Sequence, residues 1–252
     1  MSAILSYEFG NAVIVLTDGA VYNTAGVILD VRRKIHTSQK IPVAVATRGG
    51  QLWGDMVSKY IISLVEEHGF DLGLDLLSSC LREFGVGERE ADVIEVLIAG
   101  VSEAAGPCHR VFSTIDMSDK PAFELQYPGR SFWGMPSDGG AYDFSDMGVR
   151  NLFPWEMPEE FFIDQGPKIF DFFRRQRCQP AVWSEWKEPR HLIGGQLDLT
   201  LVMAEGLRTS TIHKWDDRIG RMIKPAPAMP FQAATLQGMN RKQRRAAAKR
   251  AA

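Results

Sequence analysis

The apolar pattern of this chain changes its period several times, and these changes limit the folds that it can adopt. Residues 3–9 and 12–17 are rich in β-branched and aromatic side chains, which favours two strands. Gly10-Asn11 lies between them and predicts a tight hairpin. Further short strands are predicted before the glycine pair Gly49-Gly50, at 26–30, 33–36 and 41–47.

After residue 50 the apolar residues recur at helical spacing. The first set precedes Gly69 and the second follows it, which predicts two consecutive amphipathic helices. The two sets are Trp53, Met56, Val57, Tyr60 and Leu64, and then Leu74, Leu77, Leu81 and Phe84.

Strand-like segments return in the second half of the chain. They are predicted at 92–101, 108–115 and 121–127, and segment 129–135 follows them. A region dense in phenylalanine then ends in the helical segment 167–178, and strands 196–204 and 207–215 form a hairpin around Gly206. This order predicts an α+β fold with two antiparallel sheets between helical layers, because a parallel sheet would need alternating strands and helices.

Composition and proline content predict one domain followed by a tail. The chain has 252 residues with 45% apolar and 24% charged side chains, which suits a globular protein with a packed core. Residues 1–222 are predicted to form this domain. Residues 223–252 are predicted to be a linker, which Pro225, Pro227 and Pro230 keep from forming a continuous helix, and a basic, alanine-rich C-terminal tail.

Charge is distributed unevenly between the body and the tail. Residues 241–252 hold six of the 29 basic residues and none of the 31 acidic ones, which leaves 23 basic against 31 acidic residues elsewhere. An acidic body argues against nucleic-acid binding by the domain. The tail is interpreted as a solvated arm; docking on other protein subunits is an alternative, and contact with nucleic acid is less favoured.

Several classes of protein are disfavoured by absent patterns. No segment approaches the roughly 18 apolar residues of a membrane helix, and the N-terminus lacks the features of a signal peptide. The five histidines form no H-x-x-x-H cluster, and neither a Walker nor a dinucleotide-binding pattern is present. We therefore expect a cytoplasmic protein with no membrane contact, no metal and no cofactor.

The three cysteines are Cys80, Cys108 and Cys178, an odd number with no C-x-x-C pair. This favours reduced, buried thiols over a disulfide framework or a zinc site. Cys108-His109 would be a nucleophile and its base only if both faced one side, and neighbours in a strand face opposite sides.

The opening segment carries the strongest functional pattern. Ser2 precedes the first strand, Asp18 ends the second, and Lys34 follows before Gly49-Gly50. Asp18 lies sixteen positions after Ser2, and Lys34 lies sixteen positions after Asp18. In this register the chain resembles proteasome β subunits of bacterial or prophage type, members of the N-terminal-nucleophile (Ntn) hydrolases. The resemblance implies a four-layer αββα sandwich and a peptidase or amidase that acts on a peptide or amide substrate and assembles as a homo-oligomer.

The resemblance also implies a role for each residue. Ser2 would become the nucleophile after removal of Met1, with its own α-amine as the base. Lys34 would favour the neutral amine and Asp18 would hold Lys34 in place. A backbone amide at Gly49 or Arg48 would stabilise the oxyanion, and Ser137 matches a supporting serine of the family.

The chain departs from the family pattern near residue 190. Relatives have an acid and a serine before the penultimate strand, whereas Pro189 to Gly195 keeps the glycines and lacks both. This favours a second hypothesis, in which the chain is a catalytically inactive structural or assembly subunit of a bacterial or prophage particle that docks through its basic tail. A third is a small-molecule amide hydrolase, in which residues 129–190 reshape the pocket.

Overall fold

A computed structural model describes residues 3–84, 93–116, 121–136, 142, 146–149, 158–180 and 186–226. Within these residues the chain is α+β, with antiparallel sheets and three α-helices. The strands are β1 (Ile4–Phe9), β2 (Ala12–Asp18), β3 (Ala20–Tyr22), β4 (Ile28–Val31), β5 (Ile35–Thr37), β6 (Ala44–Gly49), β7 (Ile94–Ser102), β8 (Gly106–Ser113), β9 (Ser131–Gly134), β10 (Gln196–Met203) and β11 (Gly206–Lys214). The helices are α1 (Gln51–His68), α2 (Phe70–Cys80) and α3 (Pro158–Arg175).

Two sheets contain most of the strands. The first has the order β11-β10-β2-β1-β9 and the second β5-β6-β7-β8, while β3 and β4 pair separately. The hairpin at Gly10-Asn11 is confirmed, since Phe9 pairs with Ala12. In the first sheet, β2 also pairs with β10, although the two strands are almost 180 residues apart in the chain.

The helix pair α1–α2 confirms the helical periodicity and its break at Gly69. Gly69 has φ of 84°, a conformation that favours glycine. The first amides of α2 are capped from the β7–β8 turn, because Phe70 and Asp71 donate backbone hydrogen bonds of 2.7 and 2.8 Å to the Glu103 carboxylate. Glu103 thus sets where the second helix begins.

Each sheet is covered by helices on one face. Val57, Ile61 and Leu77 of α1 and α2 pack with apolar residues of the second sheet, and Phe162 and Phe170 of α3 pack with those of the first. The packing of α3 is close, since a side chain at Gly166 would come 2.7 Å from Leu16 of β2.

A third core cluster joins the two sheets to each other. It combines Ile4, Val13 and Val15 of the first sheet with Ala44, Ala46, Leu97, Ala99 and Val111 of the second. Alternate residues of β2 face α3 and the opposite sheet. Both faces of this strand are therefore buried and apolar.

The predicted strand at 121–127 is wrong. Gln126 makes a single bridge to Val111, and the rest of the segment lies outside any strand. Phe123 has φ of 60°, which an extended strand does not allow, because its amide turns to donate to the Ser113 carbonyl oxygen at 2.8 Å. Tertiary contact therefore overrides the β-prone composition here.

Other boundaries differ from the predicted ones. Strand β3 has only three residues, too few for a periodic pattern, and the sequence did not reveal it. Helix α3 begins at Pro158 and contains Pro167, where the predicted helical segment started. At the end of the domain, Ile223 is buried with Ala20 and Ile28, while residues 227–252, including the basic tail, lie outside the described residues.

A polar contact crosses the apolar interface between the sheets. His109 of β8 and Ser6 of β1 are fully buried, and Ser6 Oγ is hydrogen-bonded to His109 Nδ1. His109 Nε2 lies 2.6 Å from the Gly129 carbonyl oxygen, which can only accept, so Nε2 carries the proton and Ser6 donates to Nδ1. Cys108 instead packs among the residues below α1 and α2, which confirms that the two neighbours face opposite sides.

We predict that His109 makes stability depend on pH. Burial lowers the pKa of His109, and Arg110 adds to this, while the Gly129 carbonyl and Glu8 oppose it. Because the unfolded chain takes up a proton near pH 6.5 and the folded one does so only at lower pH, the free energy of unfolding should fall as pH decreases below about 6.5. Urea titrations at pH 7.5 and 5.0 should show a smaller decrease in His109→Gln than in the parent chain.

The matched control is His68→Gln, because His68 is exposed at the end of α1. This variant should keep the pH dependence of the parent chain. Equal decreases in His109→Gln and in the parent would contradict a titrating role for His109.

Candidate active site

The candidate site is built around the carboxylate of Asp18, which ends β2 and has no exposed surface. Three donors from distant parts of the chain converge on it. The Ala3 amide lies 2.8 Å from Oδ1, Lys34 Nζ lies 3.2 Å from both oxygens, and the Gly194 amide lies 3.2 Å from Oδ2. Such a set of charge-assisted hydrogen bonds compensates for removing the carboxylate from water.

Lys34 lies just before β5, and its side chain is 11% exposed. Burial lowers the pKa of Lys34, the Asp18 carboxylate opposes this change, and the charge of Arg32 adds to it. The structure thus brings together the two residues that the family resemblance implied as a pair.

A glycine loop before β10 completes the surroundings of Asp18. The Gly194 carbonyl oxygen accepts hydrogen bonds from the amides of Gly19 and Ala20, at 3.1 and 2.9 Å. A side chain at Gly194 would come 2.6 Å from the Asp217 carboxylate and 2.8 Å from Arg174. Glycine is therefore needed at this position for the loop to pack against Asp217 and Arg174.

A buried ion pair supports this loop from behind. Arg174 of α3 donates two hydrogen bonds to Asp217, of 2.8 and 2.6 Å, and a third of 2.6 Å to the Ile193 carbonyl oxygen. Asp217 also accepts from the Gly195 amide at 2.7 Å. Sequence reasoning missed both residues, because nothing in the local pattern distinguishes Arg174 among the basic residues of α3 or Asp217 from its neighbour Asp216.

Gly49 is the last residue of β6 and has φ of 117°. A side chain there would overlap the Val93 carbonyl oxygen, so only glycine fits. The next amide, that of Gly50, donates to the same oxygen at 3.1 Å. Gly49 itself pairs with Ile94 of β7, and α1 begins two residues later.

Ser2 and Ser137, the other two predicted site residues, lie outside the described residues. The described chain therefore brings together Asp18 and Lys34 with the amide of Ala3, the residue that follows Ser2. It adds Gly194, which the sequence indicated only as one of two retained glycines.

Two residues that flank Lys34 in the sequence, Arg32 and His36, both contact Asp55. Asp55 of α1 accepts from Arg32 at 3.1 Å and is 3.0 Å from His36 Nε2. Burial acts to raise the pKa of Asp55, but the contacts with His36 and Arg32 outweigh it and lower that pKa. Residues 32, 34 and 36 are thus an arginine, a lysine and a histidine, and the Asp55 carboxylate contacts the first and the last of them.

Within the described ranges, no group of three or more His, Cys, Asp or Glu side chains is arranged to hold a metal ion. None of the helices in these ranges is both long and apolar enough to cross a membrane. A scan against protein-family models and a search of curated proteins both find no match to this chain. Function is therefore argued from the site itself.

We predict that Asp18→Asn strongly destabilises the domain. The substitution leaves the Lys34 ammonium buried without its counter-charge, which typically costs about 3–5 kcal/mol of unfolding free energy. Urea unfolding at neutral pH measures this loss. The exposed Asp30→Asn is the matched control and should stay within about 0.5 kcal/mol of the parent; similar values for the two variants would contradict a structural role for the Asp18 carboxylate.

Proposed function

We propose that the fold is the four-layer αββα sandwich of the Ntn hydrolases. Three observations support this proposal: two antiparallel sheets share an apolar cluster, α1 and α2 pack on the outer face of one sheet, and α3 packs on the outer face of the other. Strand β1 is an interior strand of the first sheet, between β2 and β9.

We further propose that the protein is an N-terminal-nucleophile peptidase or amidase, with Ser2 as nucleophile once Met1 is removed. The observation that carries this proposal is the hydrogen bond from the Ala3 amide to Asp18, whose carboxylate also holds Lys34. Ala3 follows Ser2 in the chain, so the residue next to the proposed nucleophile donates to a buried ion pair.

The proposed reaction begins with a single residue that is both nucleophile and base. The α-amine of Ser2, with an ordinary pKa of about 7.7–8.0, takes the proton from Oγ as Oγ attacks the substrate carbonyl carbon. The carbonyl oxygen becomes an oxyanion, for which the backbone at Gly49 is the candidate donor. Collapse expels the substrate amine, which takes the proton from the α-ammonium and leaves an acyl ester on Ser2.

The second half of the reaction uses water. The α-amine, now neutral again, takes a proton from a water molecule that attacks the ester, and the acid product leaves as Oγ regains a proton. Lys34 contributes by repelling positive charge on the α-amine, and Asp18 keeps the Lys34 ammonium in position.

One observation favours the alternative of a catalytically inactive subunit with the same fold. The loop that lacks the family's acid and serine contains Gly194 and Gly195, and the carboxylate that contacts it besides Asp18, that of Asp217, is already engaged by Arg174 and the Gly195 amide. In that alternative, Asp18 and Lys34 have a purely structural role.

We predict that Ser2→Ala abolishes hydrolysis of fluorogenic peptides. Alanine is as small as serine, so Met1 removal should still occur, and the substitution removes only the hydroxyl. The measurement combines intact mass, to establish the N-terminus, with initial rates. Ser78→Ala, an exposed serine on α2, is the control and should keep the parent rate. Retained Met1 in the parent chain, or equal rates in parent and Ser2→Ala, would favour the inactive subunit.

We predict that Lys34→Gln moves the acid limb of the pH–rate profile. Loss of the ammonium removes the repulsion that favours a neutral α-amine, so the pKa of the amine rises and the limb should shift to higher pH by roughly one unit. Lys34→Arg keeps the positive charge and should leave the limb in place. An unshifted limb in Lys34→Gln would rule out electrostatic tuning by Lys34.

A further inference from the structure

A second carboxylate without exposed surface, that of Asp198 on β10, has partners of a different kind from those of Asp18. The Gln196 side-chain amide donates to both of its oxygens, at 3.1 and 2.8 Å, and the Thr211 hydroxyl donates to Oδ1 at 2.6 Å. These donors are neutral, and none of the ion pairs between described residues includes Asp198. Buried charges in proteins are generally paired with an opposite charge or bound to a metal ion. The described part of the chain supplies no such charge for Asp198.

A hydroxyl without a partner lies beside this carboxylate. Thr17 of β2 is directly opposite Asp198 in the antiparallel pair of β2 and β10. Directly opposite residues have Cβ atoms about 4.5–5.5 Å apart and side chains on the same face of the sheet. Thr17 is 2% exposed, and its Oγ1 makes no hydrogen bond to the chain. Because a buried hydroxyl without a partner is unfavourable, this oxygen points to a bound group beside Asp198.

The row that contains Thr17 and Asp198 faces the second sheet. Ile4, the neighbour of Thr17 on β1, belongs to the apolar cluster between the sheets, and directly opposite residues share a face. On its other side Asp198 is opposite Thr211 of the edge strand β11, and Thr211 is exposed. Oxygen-bearing side chains therefore extend from the exposed edge of the first sheet to a buried position between the sheets.

The chemistry of these groups selects a class of ligand. Carboxylate and hydroxyl oxygens are the ligands that hard cations prefer. The Gln196 amide can add another oxygen, because a half-turn about its last side-chain bond exchanges Nε2 for Oε1. Asp198 supplies one negative charge, so a monovalent cation balances it, whereas a divalent cation would leave an excess positive charge in the interior.

We propose that Asp198 and Thr17 bind one alkali-metal cation, Na⁺ or K⁺, between the two sheets. The cation supplies the counter-charge of Asp198 and gives Thr17 Oγ1 a partner. The expectation of no metal rests on the absence of histidine clusters, and that pattern does not detect a site of oxygen atoms from two strands. The proposal does not depend on catalysis at Ser2.

Thermal unfolding of the full chain in NaCl, KCl and tetramethylammonium chloride tests the proposal. At one chloride concentration, up to about 0.5 M, only the cation differs between the three salts, and tetramethylammonium is much larger than the alkali-metal ions. A cation that binds only the folded chain stabilises it. The parent should therefore unfold at a temperature at least about 2 °C higher in NaCl or KCl than in tetramethylammonium chloride.

Two variants locate the cation. Thr17→Val keeps the branched shape of the side chain and removes Oγ1, and Asp198→Asn removes the charge. Each should unfold at nearly the same temperature in all three salts. Ser58→Ala is the matched control, because Ser58 of α1 is also fully buried with an unpartnered Oγ, but on the helix-covered side of the second sheet. This control should keep the temperature shift of the parent.

Two results would overturn the proposal. Equal unfolding temperatures of the parent in the three salts would leave a water molecule as the group that bridges Thr17 and Asp198. A shift that persists in both Thr17→Val and Asp198→Asn would place the bound cation elsewhere in the protein.

Discussion

Asp18 is a carboxylate without exposed surface, so folding must supply partners for a charge that has left water. Those partners come from the start of the chain, from the segment before β5 and from the loop before β10. A single charge therefore joins three segments that are distant in sequence. The candidate site forms where they meet, and its geometry depends on every one of these segments being in place.

The loop around Gly194 depends in turn on residues that do not contact Asp18. The Gly194 amide contacts Asp18, while the absence of a side chain at Gly194 leaves room for Asp217 and Arg174, which hold the loop from the other side. Helix α3 thus influences the site through a buried ion pair, although none of its residues contacts Asp18 in the described hydrogen bonds. Between the sheets, the Ser6–His109 contact adds a directional link to an otherwise apolar interface.

Local patterns predicted much of the fold. Three features predicted from local sequence are confirmed: the hairpin at Gly10-Asn11, the helix break at Gly69 and the final hairpin around Gly206. The strand predicted at 121–127 is wrong because the segment contacts β8 through the Phe123 amide and the single Gln126–Val111 bridge, and the positive φ of Phe123 lies outside the strand region. Strand β3 was missed because three residues carry no periodic signal. The pairing of β2 with β10 also required the tertiary structure, since the sequence does not encode strand order locally.

For the candidate site, the sequence by itself determined which residue types stand at the opening register, Ser2, Asp18 and Lys34, and that two glycines precede β10. Only the tertiary structure decided that Asp18 is fully buried, that Lys34 and the Ala3 amide share its oxygens, and that Gly194 joins them. It also decided that Arg174 and Asp217 support the loop. The physical reason is that hydrogen bonds between distant segments form only when the chain packs in three dimensions. Hairpins, helix breaks and charge spacing, in contrast, can be identified from the sequence alone.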